Sequence, residues 1–78
     1  MDTIKKYFRV EREKIALLKF ILEAYDGIAV LTTVNAEKGI VVLRIAPQCV
    51  EEVKAVVAEL SWEMLIEPMN ADDAMDKQ

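Results

Sequence analysis

Six consecutive segments of this chain carry hydrophobic rhythms that read as strand, helix, strand, strand, helix and strand. In residues 6–10, Phe8 and Val10 point one way and Tyr7 and Arg9 the other, because strand side chains alternate with period two. Ile4 continues the Phe8 side, but Lys6 interrupts it, so the strand is expected to begin near Lys6. Residues 11–25 predict the strongest helix. Glu11 and Glu13 suit its N-terminal end, where the helix dipole favours negative charge. At a helical turn of about 100° per residue, Arg12, Lys19, Glu23 and Asp26 gather into one narrow polar strip. Ile15, Leu17, Leu18, Ile21, Leu22 and Tyr25 cover the opposite side. Phe20, with Ala16 and Ala24, widens that apolar side to about twice what one core needs. Gly27 is a natural C-terminal stop, since glycine takes the left-handed conformation freely.

Residues 28–34 are rich in β-branched side chains and predict a second strand. The polar run Asn35-Ala36-Glu37-Lys38-Gly39 has hairpin length, and residues 40–46 form the return strand. On it Val41, Leu43 and Ile45 share one face, and Ile40, Val42 and Arg44 the other. Pro47 breaks the strand and leads into a helix over residues 50–63, with Val50, Val53, Val56, Val57, Leu60 and Met64 as its apolar stripe. Trp62 lies off that stripe, beside Ala55 and Ala58. Residues 64–67 give a short last strand, and Pro68 ends it, which suits an edge position.

This order predicts an α+β, ferredoxin-like βαββαβ fold: a four-stranded antiparallel sheet in the order 4-1-3-2, with both helices on one face. A single domain is expected over residues 1–69, followed by a polar, disordered tail over residues 70–78. Phe8, Leu18, Leu22, Leu43, Val53, Val56 and Leu60 are the expected core. The other sheet face, bearing Tyr7, Arg9, Ile40, Val42 and Arg44, is left without a covering element.

Composition narrows the functional classes. At 78 residues the chain is one small domain, and such a domain is marginally stable unless stapled or associated. Cys49 is the only cysteine, so no internal disulfide can form, and a lone thiol suits a reducing cytosol. An apolar fraction of 54% then points to association as the remaining route. No apolar run approaches the roughly 20 residues that cross a membrane, and the N-terminal residues lack the pattern of a secretory signal. A cytoplasmic protein is expected. The net charge of −4 argues against broad nucleic-acid binding. The chain has no histidine, the commonest general base, and no metal-ligand or phosphate-loop motif, so no catalytic, cofactor or metal residue is assigned.

Each side chain with chemical potential also has a plain structural role. Cys49 falls near a helix N-terminus, which can activate a thiol. Glu51 and Glu52 oppose thiolate formation there, and the residue reads as an inert small side chain. Tyr7, Arg9 and Arg44 sit where RNA-recognition sheets display stacking aromatics, but only one aromatic is present, so an interface or solvent-facing sheet fits better. Phe20 and Trp62 lie outside the helix stripes; they are either interface anchors or are covered by the tail or a neighbouring helix. Met64, Met69 and Met75 read as packing filler and tail residues. Asp72, Asp73 and Asp76 lack the glycine and distal glutamate of a calcium loop.

The long apolar helix running through Glu23-Ala24-Tyr25-Asp26-Gly27-Ile28 into a β-branched strand resembles the ACT-like group of ferredoxin-like domains, as do the hairpin at residues 35–39 and the amphipathic second helix. The stretch from Leu18 to Ile45 also resembles short bacterial families classed only as domains of unknown function. The ACT resemblance implies a homodimer that binds an amino acid or similar small effector near the first strand–helix turn. That turn commonly carries an Asp and Gly bend in the ACT group; here it is Val10-Glu11-Arg12-Glu13-Lys14. The expected function is a non-catalytic, homo-oligomeric small-molecule-binding or regulatory module. Its interface is expected among Phe20, Tyr7, Arg9, Ile40, Val42, Arg44 and Trp62. The alternatives are a nucleic-acid-binding sheet and a small enzyme with a cleft formed between subunits.

Overall fold

The computed structural model describes residues 3–25 and 27–75. Asp26, expected on the polar strip of the first helix, and Asp76 to Gln78 lie outside the described residues. Strand β1 (Ile4–Val10) leads through a 3-10 turn into helix α1 (Ile15–Ala24). Strands β2 (Ala29–Asn35) and β3 (Ile40–Ile45) follow, then helix α2 (Val50–Leu60), strand β4 (Ile66–Met69) and a short helix α3 (Ala71–Ala74). The sheet order is β2-β3-β1-β4 with antiparallel neighbours, the predicted topology. α1 starts at Ile15 rather than at residue 11, because a 3-10 turn occupies Arg12–Lys14. α2 starts at Val50 as expected, after a 3-10 turn at Pro47–Cys49, and ends at Leu60 rather than at residue 63.

Register explains the core. Phe8 stands opposite Val41 on β3, and Val41 stands opposite Thr33 on β2. Leu43 likewise pairs with Leu31. Leu18 and Leu22 of α1, and Val53 and Val56 of α2, are buried against this face together with Phe8 and Leu43. Leu60 packs at the margin, half-buried rather than inside.

The hairpin between β2 and β3 is built by its polar residues. The Lys38 N–H donates to Asn35 Oδ1 at 3.0 Å, and the Gly39 N–H to the Ala36 carbonyl at 3.3 Å. Gly39 has φ +73°, and its carbonyl accepts the Val10 N–H at 2.7 Å. A Cβ there would stand 1.9 Å from the Val10 carbonyl oxygen. Glycine is therefore required twice, by dihedral and by contact. Next to Val10, Glu11 Oε1 accepts the Leu65 N–H at 3.2 Å and ties the first strand–helix turn to the entry of β4.

Further features differ from the sequence reading. β1 begins at Ile4 rather than near Lys6, and β4 spans Ile66–Met69 rather than residues 64–67. Pro68 lies inside β4, opposite Phe8, rather than ending the strand. Edge position reconciles this, since an edge strand needs ladder bonds on one side only. The start of the expected disordered tail is a helical turn: Asn70 Oδ1 accepts the Asp73 N–H at 2.8 Å and caps α3, and Ala74 is buried. α3 packs beside β1, so the second sheet face does carry an element. Among the described residues no helix is long and apolar enough to cross a membrane.

Candidate functional site

The sheet face away from α1 and α2 brings together the five residues assigned to it. Tyr7 is the Cα partner of Val42, Arg9 of Ile40, and Lys5 of Arg44. Arg9 Nη2 donates to Glu67 Oε1, its neighbour on β4, at 2.8 Å. Arg44 Nη1 donates to Thr32 Oγ1 on β2 at 2.9 Å. Both arginines are thus engaged across strands, in exposed contacts of the kind worth about 0–1 kcal/mol. Ile40 and Val42 are only 5% and 4% exposed, which corrects their place as a free contact surface. They belong outside the main core, and Ile40 shares a shallow depression with Arg9, Asp73 and the buried Ala74 of α3. The part of this face left open runs along Lys5, Arg44 and Val30, where two cations stand directly opposite each other.

The sheet edge at β2 was not singled out by sequence. Its residues, Ala29-Val30-Leu31-Thr32-Thr33-Val34-Asn35, contain no charge and no proline, and that absence was the available signal. β2 bonds only to β3, so its outer row of backbone groups has no strand beside it. α1 lies over this side: Ala16 and Lys19 form an open groove with Thr33. Phe20, farther round α1, is 68% exposed, and Leu17 is also exposed. The wide apolar arc of α1 therefore exceeds what the core covers. Trp62, beyond the end of α2, is 88% exposed, so neither aromatic is covered by another described element.

Cys49 is half-buried and packs against the core beside Val50. Asp72 and Asp73 lie in the first turn of α3, and the described residues hold no cluster of three metal-ligating side chains.

A cleft of about 300 Å³ opens between α2 and the β1–β4 half of the sheet. Phe8, Ile45 and Val53 form its floor, Val50 and Val57 one wall, and Pro68 part of the other. Lys6 and Lys54 also line it. The sequence pattern contains one trace of it, the break that Lys6 makes in the inward side of β1.

No curated protein and no solved structure matches the chain. One protein-family description does, over residues 8–64, from the middle of β1 to the end of the α2 connection. That span includes α1, α2, the hairpin, the whole of β3 and the last three residues of β1, and the chain belongs to this family, described as a domain of unknown function (DUF4911).

Proposed function

We propose that this chain is a non-catalytic, ACT-like module that assembles with itself as a two-fold homodimer and acts as a small-molecule-binding or regulatory unit. The observation that carries the assembly is the uncharged, proline-free edge of β2. Exposed edges of this kind template pairing with another strand, and proteins normally blunt them with lysine, proline, short length or a bulge. β2 has a register irregularity between Thr33 and Asn35, at its end, and none of the other three. A second β2 in antiparallel register centred on Thr32 sets Val30 of each copy opposite Val34 of the other. Both valines are exposed in the single chain. Lys19 and Glu23 lie one turn apart on the flank of α1 above this edge. Apposed antiparallel α1 helices bring each lysine toward the other copy's glutamate, so the surface is self-complementary in charge. The exposed Phe20 adds apolar area toward the ~1,000 Å² that a stable interface requires. Lack of histidine supports a non-catalytic role.

Sedimentation velocity at micromolar concentration tests the reading. Wild type is expected to sediment as a dimer. Val30→Lys combined with Val34→Lys places like charges opposite each other and is expected to give a monomer with unchanged far-ultraviolet circular dichroism. A wild-type chain that stays a compact monomer well above that concentration overturns the dimer. A dimer indifferent to both lysines overturns the β2 edge as its contact.

A further inference from the structure

We propose that the cleft under α2 binds a small amphipathic carboxylate, with its apolar tail inside and its carboxylate between Lys6 and Lys54. This deepens the small-molecule part of the reading above and is independent of the β2 interface, which lies at the other end of the sheet.

The argument starts from an exception in the binary pattern. Lys6 stands opposite Leu43 on the inward side of β1, in line with Phe8 and Val10. An inward position on a central strand is ordinarily apolar. Here a lysine occupies it, half-buried, with its side chain lining an apolar cleft. Among the described residues it makes neither an ion pair nor a side-chain hydrogen bond. The stem of a half-buried lysine lies along apolar surface while its ammonium stays at the rim, where an anion can meet it.

The space beside it has a definite cause. β4 is four residues long, and its last pairing with β1 is Met69 with Tyr7, one residue short of Lys6. α2 overhangs that unfilled position. At helical spacing Val50, Val53 and Val57 form a stripe, and Lys54 and Ala58 follow on its outer margin. The cleft is thus apolar at depth and cationic at the rim. Its volume falls at the small end of ligand sites, which are mostly apolar with a few polar groups that fix orientation. Among the described residues Lys54 pairs with one carboxylate: Glu51 Oε2 lies 3.7 Å from its ammonium, exposed to solvent. That loose contact leaves Lys54 free to turn toward an incoming anion, because exposed pairs of this type are weak. Two ammonium groups flanking an aliphatic slot select an acid with a hydrocarbon body. An alcohol lacks the charge, and an ammonium amphiphile is repelled.

The experiment is calorimetric titration of the full chain with decanoate, decanol and decylammonium, each below its micelle-forming concentration. Saturable one-to-one binding of decanoate is expected, about tenfold weaker binding of decanol, and none of decylammonium. Lys6→Gln is expected to weaken decanoate about tenfold while leaving decanol unchanged. Ala58→Phe, at an exposed position on the rim, is expected to fill the cleft and abolish both. Arg44→Gln, on the opposite face, is the control and should change neither. Absence of saturable decanoate binding overturns the proposal. So does equal affinity for decanoate and decanol, or binding that survives Ala58→Phe in a protein with wild-type circular dichroism. The Val30→Lys, Val34→Lys variant separates the two readings: as a monomer it should still bind decanoate. Loss of decanoate binding in Lys6→Gln with sedimentation unchanged bears on the cleft alone.

Discussion

The two edges of the sheet flank the same pair of central strands but handle exposure differently. β4 is four residues long, contains Pro68, pairs Glu67 with Arg9, and runs directly into a capped helix. β2 is seven residues long and has neither charge nor proline. Each feature of β4 is a recognised way to discourage a second strand from docking, and β2 uses none of these, having a register irregularity between Thr33 and Asn35 instead. Protection of an edge is therefore a local property, written strand by strand. The contrast also shows a cost of blunting an edge by shortening it. A short β4 discourages docking and leaves the adjoining part of β1 unfilled, so the protected edge acquires an apolar cleft, where the β2 side has an open groove under α1.

The largest effect is expected from removing the support that the two edges share. Leu22 is buried in the core between α1 and the sheet. Leu22→Ala should cost about 2–5 kcal/mol, a large part of the stability of a domain this small. Chemical denaturation measures it, and a loss below about 1 kcal/mol would place Leu22 outside the core. The next effect concerns the link between the β2–β3 hairpin and β1. Gly39→Ala meets the Val10 carbonyl as well as an unfavourable dihedral, and should cost more than about 2 kcal/mol. Gly27 also has positive φ, at +66°, but a Cβ there has nothing within 4 Å. Gly27→Ala should therefore cost about 1 kcal/mol. Equal losses at the two glycines would remove the role of the Val10 contact.

The smallest effect lies on the β4 side. Asn70→Ala removes the cap of α3 and should cost about 1 kcal/mol or less. Its signature is faster amide exchange at Ile40 with little change along β2. Exchange that rises equally at Ile40 and along β2 would mean that α3 does not act locally.

The central strands and both long helices were legible because each has a buried side with the right period. Phe8 and Val10 on β1, and Val53, Val56 and Val57 on α2, announce their faces without outside help. The outer-face cover was not legible as an element. Asn70 followed by Asp73 is a capping signal, but α3 is too short to show a hydrophobic period. Its trace was indirect: Ile40 and Val42 are apolar on a side that the topology left bare. The site was read less fully. The sheet residues were assembled as expected, yet two of the five were already buried. The cleft arises from the short pairing of β4 with β1, a register fact that no single segment of sequence contains. Lys6 marked the spot as an irregularity, and only the neighbouring strand and helix give that irregularity a meaning.

The position of β1 has a consequence in time. It precedes every other strand in the chain, yet it is central, bonded to β3 on one side and to β4 on the other. Its last partner lies more than fifty residues downstream, at Ile66–Met69. At synthesis rates of about 5–20 residues per second, β1 spends seconds with one side or both unoccupied. In that interval it is a nascent strand in a crowded environment. Lys5, Lys6 and Arg9 give it three positive charges in seven residues, the composition of a gatekept segment. The cations that in the finished protein line a cleft and face solvent would, during synthesis, keep the waiting strand from its own kind.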